Sequence, residues 1–168
     1  AHAGGDGTLN SFEMASRLSY LLWGTMPDEE LFQVAAADSL LEVTAIETQA
    51  QRLWDDPRAD EVAWRFIGEW FDMDRAQALR FTTEVYSSFN SYQRRALEDS
   101  ARTFVRFIFR EEGARLEALL TSPVAFVGTS IKTIYDVNAL YGSARRFDMD
   151  PAQRAGILTH PLWLAVTS

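Results

Sequence analysis

The stretch from Phe12 to Leu31, FEMASRLSYLLWGTMPDEEL, constrains the fold of this chain more than any other. It holds an amphipathic helix, its stop, a turn and the beginning of a second helix. Met14, Leu18, Leu21 and Leu22 recur at helical spacing, and Phe12, Ala15 and Ser19 widen the stripe. Gly24 is placed to end that helix, because glycine enters the left-handed backbone of a C-terminal cap at little steric cost. Pro27 fits a helical first turn, and Asp28, Glu29 and Glu30 suit the positive end of the new helix dipole. A helix-turn-helix hairpin so early predicts an all-α domain.

The rest of the chain reads the same way. Asn10 with Glu13 is a capping box that starts the first helix at about Ser11. The second helix is expected over Pro27 to Asp38. The third covers Val43 to Asp55, with Ile46, Ala50, Leu53 and Trp54 on one face. Asp56-Pro57 opens a fourth, running to Phe71 with Val62, Ala63, Phe66, Ile67 and Trp70 as its apolar face. Residues 72 to 88 lose the period and form a long central connection. The longest helix spans Ser91 to Glu112, with Leu97, Ala101, Phe104, Val105, Ile108 and Phe109 inward and Gly113 as its stop. A short helix follows at Leu116 to Leu120, and another at Ser130 to Leu140. Val124 to Val127 suits a short extended piece, and Arg145 to Asp150 reads as polar loop. Six or seven helices in an irregular bundle are the expectation.

Composition narrows the chemistry. With 168 residues, 47% of them hydrophobic, 11 Phe and 5 Trp, the chain can bury a sizeable core and is not a disordered segment. A net charge of −8 opposes a nucleic-acid surface, which needs a basic face. No apolar run approaches the roughly 20 residues that span a bilayer. Cysteine is absent, so disulfides, thiolate metal sites, a cysteine nucleophile and covalent haem attachment are excluded within this chain. No cofactor is expected in it.

Four groups of residues could carry function. Gly4 to Glu13 has part of a calcium-loop spacing, but His2 and Gly4 fall where carboxylates are required, and a helix cap explains Asn10 and Glu13 better. Glu69, Asp72 and Asp74 gather acids at the end of the fourth helix. They suit a small-molecule-binding or hydrolytic module if a cleft perturbs them, and a solvated helix end if none does. Arg102, Arg106 and Arg110, four apart, make a cationic stripe about 12 Å long that could clamp an anionic partner, unless Glu98 and Asp99 pair with it. Trp23 and Trp163 are large aromatics suited to anchoring a partner or filling a core. His160 stands in an apolar segment, where packing with a hydrogen bond is commoner than ligation. Nucleophilic triads, zinc spacings and Gly-rich phosphate loops are missing, so an independent enzyme is not supported.

Several strings together resemble a family. They are ASRLSYLLWG at 15–24 with MPDEEL at 26–31, Asp56-Pro57-Arg58-Ala59 followed by Phe66 and Glu69-Trp70-Phe71, Leu119-Leu120-Thr121 with Phe126-Val127, Leu140-Tyr141-Gly142, and RAGILTHP at 154–161. Their order and spacing resemble exported bacterial multidomain proteins built from planctomycete surface domains joined to a planctomycete-type cytochrome c domain. The resemblance implies a periplasmic or cell-surface location, a helical surface domain over residues 1–120, and the incomplete start of a cytochrome-type domain over 121–168. In that family a CxxCH haem motif comes later, and a chain without cysteine carries none of it. The chain departs from the family pattern between Gly128 and Asn138, where it is longer. Other protein subunits, or the remainder of a larger polypeptide, are the implied partners. The apolar run Ile157 to Val166 just before the last residue suggests a piece of a longer protein.

Overall fold

The computed structural model describes residues 8–73, 75, 90–138, 142 and 144–167. Eight α-helices are found among them: α1 (Ser11–Leu22), α2 (Glu29–Ala36), α3 (Val43–Asp55), α4 (Arg58–Trp70), α5 (Ser91–Arg110), α6 (Leu116–Thr121), α7 (Lys132–Tyr135) and α8 (Pro161–Thr167). Two short strands, β1 (Val124–Val127) and β2 (Arg145–Asp148), add an antiparallel ribbon. The fold is all-α with this one addition. The chain divides into two compact units, residues 1–62 and 63–168, with the division inside α4.

The first unit is built on α1, α2 and α3. Asn10 caps α1 as its spacing predicts: its side chain accepts the Glu13 N–H at 2.9 Å, and the Glu13 carboxylate accepts the Asn10 N–H at 2.9 Å. Ser11 Oγ donates to Asp38 Oδ1 at 2.7 Å, tying the start of α1 to the end of α2. Leu31, Leu40 and Leu53 are fully buried beside Ala15, Leu18 and Trp23. Burying each leucine contributes about 1.5–3 kcal/mol. The stripe of α1 is narrower than its sequence suggests. Ala15, Leu18 and Ser19 face inward, whereas Phe12 and Leu21 lie at the rim and are exposed. Helix α2 begins two residues later than expected, at Glu29, because Asp28 takes the cap and accepts the Leu31 N–H at 3.0 Å.

The second unit is organised on α5. Leu97, Ala101, Phe104, Val105 and Ile108 are buried along its inner face, as the period predicts. Phe107 joins them, since its ring meets Phe126 of β1 at 5.7 Å and Arg146 of β2 lies 4.8 Å from its centre. Residues 145–148, expected as loop, are strand β2: Val124 pairs with Asp148 and Val127 with Arg145, and the Met149 N–H extends the ladder to Pro123 O. Polar residues tolerate this place because β2 is the outer strand and only Phe147 leans inward. The helix expected over Ser130 to Leu140 is shorter. It is a 3₁₀ turn at Thr129–Ile131 and a single turn, α7, ended by Asp136 in the left-handed region at φ 53°. On α4, Ala63 and Ile67 are buried but Phe66 and Trp70 are not, at 57% and 55% exposure. Most of the expected central connection lies outside the described residues.

Candidate functional site

The most concentrated polar chemistry sits inside the second unit. Ser100 interrupts the apolar inner face of α5, Tyr135 ends α7, and His160 precedes α8; all three are buried. His160 Nδ1 accepts the N–H of Leu162 at 3.2 Å, so the imidazole caps α8 behind the first-position Pro161. That bond leaves the ring proton on Nε2, which donates to Tyr135 Oη at 3.0 Å. Tyr135 Oη then faces Ser100 Oγ at 3.3 Å, and Ser100 Oγ donates to the Phe126 carbonyl at 2.6 Å. The proton direction is the same along the whole chain. It joins α8, α7, α5 and β1.

Burial sets the charge state. Desolvation, with Arg154 nearby adding to it, pushes the His160 pKa down to about 3. Desolvation pushes Tyr135 up to about 12, against smaller opposing effects from Ser100 and Arg154. Both groups are neutral near pH 7. Ser100 and His160 Nε2 are 3.3 Å apart, which invites a reading as nucleophile and base. The hydrogen-bond directions oppose it: Nε2 carries the proton, the serine proton is spent on a carbonyl, and the adjoining cavity is about 20 Å³, room for one water. The cluster is a structural knot.

The RAGILTHP segment is consumed by the same packing. Arg154 donates to the Ile134 carbonyl at 2.8 Å and lies 5.0 Å from the Tyr135 ring centre. Gly156, at φ 65°, lets its backbone lie against Leu120, and its N–H reaches the Ser122 carbonyl at 2.8 Å. Thr159 Oγ1 accepts the Ala155 N–H at 2.8 Å.

The strings LLWG and DPRA meet in the first unit. Trp23 is buried, its Nε1 donates to the Leu53 carbonyl at 2.8 Å, and the Arg58 guanidinium stacks 3.3 Å from its ring centre. Trp23 is therefore a core residue and not an exposed anchor. Arg52 of α3 grips Asp28 with two bonds of 2.8 and 3.0 Å and reaches Gln49 and Glu30. The Arg52 side chain, helped by the Leu31 N–H, holds the Asp28 carboxyl below its usual range despite partial burial. Arg58 holds Asp56 down to about 2.

The surface candidates are dispersed. Arg102 is exposed and its guanidinium lies 5.2 Å from the Trp64 ring centre, Arg106 is exposed, and Arg110 is half-buried. Trp163 is half-buried against Phe71, at 6.4 Å between ring centres, and its indole N–H has no hydrogen-bond partner among the described residues. Glu69 and Asp72 are exposed, Asp72 pairs with Arg75 at 3.2 Å, and Asp74 lies outside the described residues. Among the described residues no group of three acids or histidines is placed to hold a metal ion, and no helix is long and apolar enough to cross a membrane. Reading by sequence missed Ser100 and Tyr135. A serine on the core face of α5 was the available signal.

A helical domain whose polar motifs are spent on its own architecture is the class these features define. The chain belongs to PSD4, a family described as protein of unknown function (DUF1592), whose model matches residues 9–137. No curated protein and no solved structure matches it.

Proposed function

We propose that the chain is a non-catalytic helical domain of an exported protein, periplasmic or at the cell surface, that acts by protein contact within a c-type cytochrome or electron-transfer assembly. The observation that carries the contact is the aromatic face of α4. Phe66 and Trp70 are 57% and 55% exposed, with ring centres 5.7 Å apart, and Trp70 continues to Phe71 at 5.0 Å. Exposed tryptophan and phenylalanine in contact are the residue types that dominate binding energy when a partner covers them. The link to cytochromes and export rests on the resemblance of the motif strings. The polar motif residues Arg58, Arg154, Thr159 and His160 are engaged in stacking, hydrogen bonding and capping inside the fold, which favours a domain without chemistry of its own.

The test is co-purification without denaturant from the native source, followed by mass spectrometry. The wild-type chain should bring haem-containing or other envelope subunits with it. Trp70→Ala and Phe66→Ala should reduce recovery of those companions at least tenfold while leaving the melting temperature within a few degrees. A wild-type protein recovered alone, or companions retained by both variants, would overturn the reading. A binding or hydrolytic site at Glu69, Asp72 and Asp74 is not favoured by the exposure of the first two.

A further inference from the structure

We propose that the outer ridge of α5 is a second docking surface, engaging an acidic polypeptide segment through Arg95 and Arg106. This rests on the protein-contact reading and names the chemistry of a partner at a different face. Helix α5 holds five arginines against Glu98 and Asp99 in a chain of net charge −8, so positive charge is concentrated on one element of an acidic protein. Arg95, Arg102 and Arg106 are exposed and fall in one stripe about 16 Å long. Arg102 leans on Trp64. The side chains of Arg95 and Arg106 make no ion pair or hydrogen bond among the described residues, though Glu98 and Asp99 stand on the same helix.

The ridge has relief as well as charge. Its N-terminal half separates two open grooves, of about 420 and 510 Å³, and Arg95 and Asp99 line both. The first groove has Trp64, Met73 and Leu162 as its apolar wall, and the second has Tyr92, Ala96 and Ala144. A polypeptide can place carboxylates on the two guanidinium groups, where bidentate pairing is available, and set apolar side chains into a groove. A nucleic acid cannot skip Glu98 and Asp99, because its phosphates are continuous and these acids repel them.

The experiment titrates the full chain, labelled with nitrogen-15, with a twelve-residue peptide of alternating Glu and Leu, at 50 and 300 mM NaCl. Amide shifts should fall on α5 and the groove walls, and affinity should drop at least tenfold in R95E/R106E and at the higher salt. Arg17→Glu, an exposed charge on α1, should leave it unchanged. No binding, an equal loss in Arg17→Glu, or equal shifts with a DNA duplex would overturn the proposal. So would a concentration-dependent dimer that R95E/R106E abolishes, since the occupant would then be a second copy. If co-purification through Trp70 survives while the peptide fails, only the α5 surface is lost; if co-purification fails and the peptide binds, the α4 reading is lost.

Discussion

His160 Nε2 donates to Tyr135 Oη at 3.0 Å, and a change of charge on either group breaks a neighbouring bond: protonating Nδ1 expels the Leu162 N–H, and ionising Tyr135 removes the proton directed at Ser100. In an unfolded chain a histidine takes up a proton near pH 6.5, whereas buried His160 stays neutral down to about 3. Between those values the unfolded state binds the extra proton. Stability from this group is therefore whole above about pH 6.5 and falls by about 1.4 kcal/mol for each unit of acidification below it. Tyr135 acts on the other side. The unfolded phenol loses its proton near pH 10 and the folded one near 12, so stability drops as pH rises past 10. Denaturant midpoints measured from pH 4.5 to 11 should show a plateau between about 6.5 and 10. His160→Gln should flatten the acid limb, and Tyr135→Phe should remove the alkaline limb while keeping the acid one.

Gly156 and Gly113 share a φ of 65° but differ in surroundings. A Cβ on Gly156 would stand 2.2 Å from the carbonyl carbon and oxygen of Leu120, while one on Gly113 would meet nothing within 4 Å. Gly113→Ala should cost only the left-handed backbone, about 1 kcal/mol. Gly156→Ala adds a clash with backbone that cannot rotate away, for a total of about 3 kcal/mol or more. Urea unfolding of the two variants side by side measures the difference.

Asp28 performs two tasks separable by substitution. Its carboxylate caps α2 at Leu31 and receives the fork of Arg52. Asp28→Asn can keep the cap but loses the charge pair, which is 28% exposed on each side and so should cost about 1 kcal/mol. Asp28→Ala loses both, about 2 kcal/mol. In 1 M salt the first loss should shrink and the difference between the variants should persist, because screening weakens the ion pair and not the cap. Equal losses at low and high salt would show that the Arg52 pair contributes no charge-dependent stability.

Helix position was legible because it is written within a few residues. The Asn10–Glu13 box, the Val43–Asp55 helix and the inward face from Leu97 to Ile108 each depend on spacing of three or four, and they stand where the spacing puts them. The family strings were legible too, though the strings alone did not say why those residues stand there. Tertiary structure alone decided the rest. Whether Phe66 joins Ile67 in the core or stays outside depends on what packs against α4, and periodicity cannot report a neighbour. The strand at Arg145 exists only because Val124 to Val127 lie alongside it, so its polar composition gave no period-two signal. Ser100, Tyr135 and His160 meet across as many as 60 residues of chain, and Arg52 reaches Asp28 across 24. Such contacts form after loop closure, when burial makes each polar group find a partner. Local preference determined the helices of this protein; packing determined which of their faces are core, which charges are paired and which aromatic side chains stay exposed.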